Sequence, residues 1–162
     1  MAREMAVQML YQTDLAGSSL ADVLASFDVA DFLNERRVHA ADLAEASGGV
    51  AAGPLPAPEE AADAMVHARR LVSGTREHLE EIDELIRGQA ENWRLERMPA
   101  VDRNVLRLAV FEMLHETDVP KLVVVDEAVE IAKRFGSDQS GRFVNGLLDG
   151  LLKSHAFPGS MK

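Results

Sequence analysis

The sequence contains no cysteine, which excludes disulfide staples and thiolate metal sites at once. That usage suits a reducing compartment. Aromatic residues are scarce, with one tryptophan, one tyrosine and six phenylalanines, so a core must be built mainly from aliphatic side chains. Strand-like alternation is almost missing. The one run of branched residues, Leu122-Val123-Val124-Val125, follows Pro120 and reads as the start of a helix, with Asp126 and Glu127 favourable in its first turn. No apolar run is long enough to span a bilayer. Met1-Ala2-Arg3-Glu4 leads straight into an amphipathic pattern, with no secretory signal. The expectation is a cytoplasmic protein without membrane contact. Basic charge is short too: 17 Lys and Arg stand against 27 Asp and Glu, a net charge of -10. Taken alone, this argues against nucleic acid, whose phosphates normally select a basic surface. RNA binding would have to rest on a local basic patch or on a partner that supplies charge.

What is present is helical periodicity in 162 residues, 47% of them hydrophobic, enough for one core without staples. Ala6, Met9, Leu10 and Thr13 share one face of a first helix over about Ala2 to Ala16, which Gly17 stops. A second helix begins near Ser18 or Ser19 and continues through Val23, Phe27 and Val29. From about Ala46 to Pro58, Gly, Pro and Ala crowd together and read as a flexible surface linker. Helical signal resumes at Glu59 and runs to Gly74, and Thr75 can cap the next helix. There Leu79, Ile82, Leu85, Ile86 and Trp93 line one face, while Glu77, Glu80, Glu81, Asp83 and Glu84 face water. Pro99 opens a helix striped by Val101, Val105, Leu108, Ala109 and Leu114. Two more follow, one through Val125, Ala128, Val129, Ala132 and Phe135 to Gly136, the other through Phe143, Val144, Leu147, Leu148 and Leu151. The fold class is therefore all-α, with about seven helices. They form a single domain, 1–162, of two packed helical subdomains: an N-terminal half about 1–45, the linker 46–58, and a C-terminal half about 59–156.

A search for chemistry finds no catalytic constellation. The five histidines, His39, His67, His78, His115 and His155, show no pair at zinc-ligand spacing near a third ligand. No phosphate-cradling glycine loop and no nucleophile with its base is visible. The carboxylates alternate with arginine on solvated faces, and the seven methionines read as core filler. Neither a metal, a cofactor nor an enzyme activity is expected. Three polar features carry two readings each. Asp102 is a helix cap or a functional carboxylate. Gly146, inside a helix, marks a helix–helix contact or the close approach of a ligand. Lys133, Arg134 and Arg142 form the densest basic spot of the second half. With Phe143 they suit single-stranded RNA, cations on phosphate and ring on base; alternatively Lys133 and Arg134 merely offset the negative end of a helix.

The segment Ala2-Arg3-Glu4-Met5-Ala6-Val7-Gln8-Met9-Leu10-Tyr11-Gln12 resembles the first helix of the NusB family. So does the block from Trp93-Arg94-Leu95-Glu96-Arg97-Met98-Pro99 through Asp102-Arg103 and Leu106-Arg107-Leu108-Ala109. Asp118-Val119-Pro120, the run Asp126 to Lys133, Phe135-Gly136 and Phe143-Val144-Asn145-Gly146-Leu147-Leu148-Asp149 complete the match. The motifs are modest singly and specific in this order. The resemblance implies two packed helical halves and a role in processive transcription antitermination, chiefly of ribosomal RNA. It implies pairing with NusE, a small-subunit ribosomal protein, on the BoxA element of nascent RNA, together with other Nus factors and RNA polymerase. Carried over position by position, it implies RNA contacts at Arg3, Gln8, Tyr11, Arg142 and Phe143. It implies partner contacts at Asp102, Glu112 and Asp118, with Asp138 and Gln139 at the edge of both surfaces.

Two departures bear on these expectations. Family members carry an Arg-rich arm before the Ala-Arg-Glu motif, and here only Arg3 remains of it. The Gly/Pro/Ala-rich linker is also longer than the family norm, as a tolerated loop insertion would be. Two other readings stay open: a protein-only helical adaptor, kept alive by the net charge, and the NusB-like RNA-binding domain of an rRNA cytosine methyltransferase. The second is disfavoured by the absence of a nucleophilic cysteine and of a following catalytic domain.

Overall fold

The computed structural model describes residues 1–49 and 56–159, so the middle of the predicted linker, 50–55, lies outside the described residues. Among the described residues there are eight α-helices, one 3-10 turn and no strand. No helix there is long and apolar enough to cross a membrane. The helices are α1 (Ala2–Ala16), α2 (Leu20–Ser26), α3 (Val29–Ser47), α4 (Pro58–Glu77), α5 (Leu79–Gln89), α6 (Ala100–His115), α7 (Lys121–Phe135) and α8 (Ser140–Ser154). The 3-10 turn, Leu95–Arg97, precedes α6.

Helix α1 buries the face its spacing predicts, with Ala6, Met9, Leu10 and Thr13 all inside. Gly17 ends it in the left-handed conformation, φ 64°, which a residue with a Cβ adopts only at a cost. The second expected helix is two helices. The Ser19 side chain caps α2 by accepting the Asp22 N–H. Asp28, in extended conformation, then accepts the Asp31 N–H at 3.0 Å and starts α3. An Asp whose side chain satisfies a free backbone N–H favours a new N-terminus over a continuing helix. Helix α3 runs through Ser47, two residues into the predicted linker, and buries only Phe32.

Helix α4 begins with Pro58 in its first turn, where a missing N–H costs nothing. It does not stop at Gly74. Thr75, expected to cap the next helix, is buried and donates its hydroxyl to the Leu71 carbonyl one turn back, at 2.7 Å. The corner falls at His78 instead. On α5, Ile82 and Ile86 face the core as expected. Asp83 corrects the predicted water-facing stripe: it is buried and holds Arg107. Trp93 corrects the apolar stripe, because α5 ends before it and the indole is 58% exposed.

The organising element is α6. Its sequence reads as a one-sided stripe, yet every residue from Asp102 to Met113 is buried. It packs against α1, α4, α5, α7 and α8. A helix buried on all sides makes an unpaired charge costly, and both of its arginines are paired. Arg103 donates to Asp14 on α1 at 2.8 Å and to the carbonyls of Leu95 and Met98. Arg107 grips both oxygens of Asp83, at 2.8 and 2.9 Å. Burial alone would raise the pKa of Asp14. Hydrogen bonds from Arg103 and Asn104, with the charges of Arg103 and Arg107, outweigh that and hold it below the usual value.

Glycines in α4 and α8 have opposite surroundings. A Cβ on Gly74 would collide with the Phe111 ring, so Gly74 is where α4 approaches α6 most closely. Gly146 meets nothing within 4 Å, which removes the helix–helix contact as its explanation. Gly74→Ala therefore loses about 1–3 kcal/mol by overpacking despite its better helix propensity. Gly146→Ala gains about 0.5–1 kcal/mol. Urea denaturation of the two variants, read by circular dichroism, checks the opposite signs.

Candidate nucleic-acid interface

Gln8 and Tyr11 are one helical turn apart on α1, so they share a face. That face, with Phe135 at the end of α7 and Glu35 on α3, lines two adjoining grooves of about 380 Å³ each. Tyr11 and Phe135 expose their rings, at 38% and 45%. Two cations sit in the same region. Arg36 of α3 and Arg134 of α7 reach Glu4 at 3.3 and 3.1 Å, and Glu4 is buried beneath them. Both guanidinium groups remain about one-third exposed, so they neutralise Glu4 while still facing solvent. Residues of α3 contribute here without any motif to announce them.

Arg142 and Phe143, in the first turn of α8, line a third groove of about 360 Å³. Trp93 stands across it, its ring edge-on to Phe143 at 6.1 Å. Gly146 lies on the same groove, and its missing side chain leaves the wall open. Two aromatic rings beside a guanidinium and a bare stretch of backbone offer surfaces on which a flat base can stack. Lys133 stands nearby: its aliphatic stem lies over Gly141, where a Cβ would fall 2.7 Å from Lys133 Cγ. Its ammonium is exposed and 3.8 Å from Glu130. Sequence reasoning placed Trp93 in the core and so missed it.

Arg3 is not a free cation. Its Nε lies 3.0 Å from both oxygens of Glu112, and Nη2 lies 2.9 Å from Oε1. Burial of Arg3 lowers its pKa, but the bond and charge of Glu112, with Glu127 and Glu116, raise it overall. Burial pushes the Glu112 carboxyl up, and Arg3 opposes that.

The five positions expected to meet a partner divide by burial. Asp118, in the α6–α7 turn, and Asp138 and Gln139, in the α7–α8 turn, are exposed. Asp102 and Glu112 are inside, at 3% and 2% exposure. Asp102 does not cap its helix. Its Oδ1 has no hydrogen-bond partner among the described residues. Burial raises its pKa, and the nearby Ser140 hydroxyl opposes the rise. That serine also organises the neighbouring turn, accepting the Ser137 N–H at 2.9 Å.

Residues 1–153 match the NusB family. The chain is 42% identical over 148 residues to transcription antitermination protein NusB of Myxococcus xanthus, covering 91% of this chain and 89% of that one. Its fold superposes on T. maritima NusB with a TM-score of 0.70 and 36% identity, over 96% of this chain and 90% of the other. It also superposes on a crystal structure of antitermination factors NusB and NusE in complex with dsRNA. There the TM-score is 0.67 and the identity 25%, over 95% of each chain.

The Arg3–Glu112 pair gives a direct expectation. Arg3→Ala leaves a carboxylate buried and unpaired, at a cost of about 3 kcal/mol at neutral pH. Adding Glu112→Gln recovers most of that loss. Because burial raises the Glu112 pKa, its buried charge is a liability above the folded-state value. The liability fades as the pH falls through that value, so the Arg3→Ala deficit shrinks in acid. Denaturant titrations of both variants at two pH values separate this structural role from any loss of RNA contact.

Proposed function

The chain belongs to the NusB family, and from that premise we propose that it is a transcription antitermination factor. With NusE it binds the BoxA element of nascent ribosomal RNA transcripts, and with other Nus factors it promotes processive elongation by RNA polymerase. The observation that carries this reading is the likeness of the whole helical scaffold to NusB in its complex with NusE and RNA. The protein works by binding alone, in the cytoplasm, and catalyses no reaction.

RNA lies along the face formed by Gln8, Tyr11, Lys133, Arg142 and Phe143. The aromatic rings stack on bases and the cations meet phosphates. Arg3 contributes from behind, by holding Glu112 and setting the first turn of α1. NusE docks on the acidic turns that carry Asp118, Asp138 and Gln139, with Asp102 and Glu112 supporting that surface from beneath. An acidic face suits a basic ribosomal protein, because complementary charge speeds encounter and fixes orientation. The same acidity limits what the chain does alone. Arg3, Arg36 and Arg134 each answer a carboxylate of this chain. The partner therefore supplies much of the positive charge that RNA requires.

A titration of fluorescent BoxA-like RNA, with and without NusE and at two salt concentrations, tests this. Weak binding by the chain alone, tightening with NusE and weakening as salt rises, is the expected result. Arg142→Ala and Phe143→Ala each weaken the ternary complex about tenfold with helicity intact. If the chain binds NusE but the pair shows no affinity for RNA, the protein is a protein-only adaptor. Binding by the chain alone as tight as by the mixture contradicts the charge argument.

A further inference from the structure

His78, Glu81 and His115 are far apart in role but meet at one corner of the fold. His78 occupies the turn between α4 and α5, Glu81 the first turn of α5, and His115 the last residue of α6. The two imidazoles stack, with ring centroids 3.9 Å apart and planes inclined by 24°. Phe111 backs them both, its centroid 5.4 Å from His115 and 6.2 Å from His78. One oxygen of Glu81 faces both rings, 3.8 Å from His78 Nδ1 and 3.8 Å from His115 Nε2. The three ligand atoms all lie within 4.8 Å of one another.

We propose that His78, Glu81 and His115 bind a divalent transition-metal ion, with Zn²⁺ the preferred occupant. Each separation from the carboxylate is too long for a hydrogen bond. Ligand atoms about 2.1 Å from a tetrahedral ion stand roughly 3.4 Å apart, so each carboxylate–imidazole separation shortens by about 0.4 Å on binding, while the two imidazole nitrogens, within 4.8 Å of each other, converge as the rings turn out of their stack. Imidazole nitrogen selects zinc, copper or nickel over magnesium or calcium, which take oxygen ligands. Two histidines and a carboxylate leave a fourth position for water. All three side chains are one-third or more exposed, so the ion has a path from solvent. Phe111 limits the rotamers of both imidazoles and so lowers the ordering entropy that binding costs. The bound ion would tie the α4–α5 corner to the end of α6. Linear spacing hides such a site because helix packing, not sequence proximity, brings the ligands together. It stands independently of the RNA reading.

The test is calorimetric titration of ZnCl₂ into the untagged full-length protein, repeated with Co²⁺ to read coordination by its visible absorption. One ion per chain is expected, with a tetrahedral cobalt spectrum. Affinity falls about tenfold or more in His115→Ala and in Glu81→Gln. Glu81 is half-exposed, so its variant folds even if a histidine variant does not. His155→Ala leaves binding unchanged. Absence of Zn²⁺ binding overturns the proposal, as does binding that survives both His115→Ala and Glu81→Gln.

Discussion

A helix buried on every side yet carrying two arginines, an aspartate and a glutamate is the constraint on which this fold depends. Apolar burial alone would leave α6 free to rotate or slide against its neighbours, because hydrophobic contact is non-directional. Charges inside are directional, and an unpaired one costs several kcal/mol. Arg103 meets its counter-charge in Asp14 of α1, and Arg107 meets its own in Asp83 of α5, with Asp14 a further 3.5 Å contact. Glu112 answers Arg3 at the other end of α1. Helix α1 is thus tied to α6 at Arg3 and at Asp14, near its two ends. With those points fixed, Gln8 and Tyr11 have one direction left to face, which is outward along the grooves shared with Phe135.

The same pairing explains how so acidic a chain can serve RNA. Its carboxylates are not spread evenly over the candidate surface. Several are drawn inward or underneath: Glu4 below Arg36 and Arg134, Glu112 against Arg3, Asp14 and Asp83 against α6. That leaves Lys133 and Arg142 exposed beside Phe143 and Trp93 on one side. Asp118 and Asp138 are exposed in the turns at either end of α7. The division of surface charge, more than its total, decides which partners can approach.

What could be read from the sequence follows from range. The buried face of α1, the helix start after Pro120 and the stripe of α8 are local periodicities, and the structure keeps them, but α7 begins already at Lys121, so Asp126 and Glu127 fall in its second turn and not its first. Asp28 was legible in principle, since an Asp just before a helical run is a capping residue; the apolar spacing across Phe27 and Val29 masked it. Asp83 was not legible, because its burial depends on Arg107 in another helix. Trp93 misled in the opposite sense: its apolarity places it inside, while the end of α5 puts it outside. Of the candidate interface, family resemblance supplied Gln8, Tyr11, Arg142 and Phe143. The side of the groove formed by α3 carries no local signal, because only packing brings Glu35 and Arg36 there.

A double-mutant cycle between Asp14 and Arg103 tests the central claim most directly. Unfolding free energies would be measured for Asp14→Asn, Arg103→Met and the pair. The account predicts a coupling energy of about 1–3 kcal/mol, the double variant losing far less than the two single losses together. Losses that add to within about 0.5 kcal/mol would mean that α1 is placed by apolar packing alone, and the ionic tether would be an incidental contact.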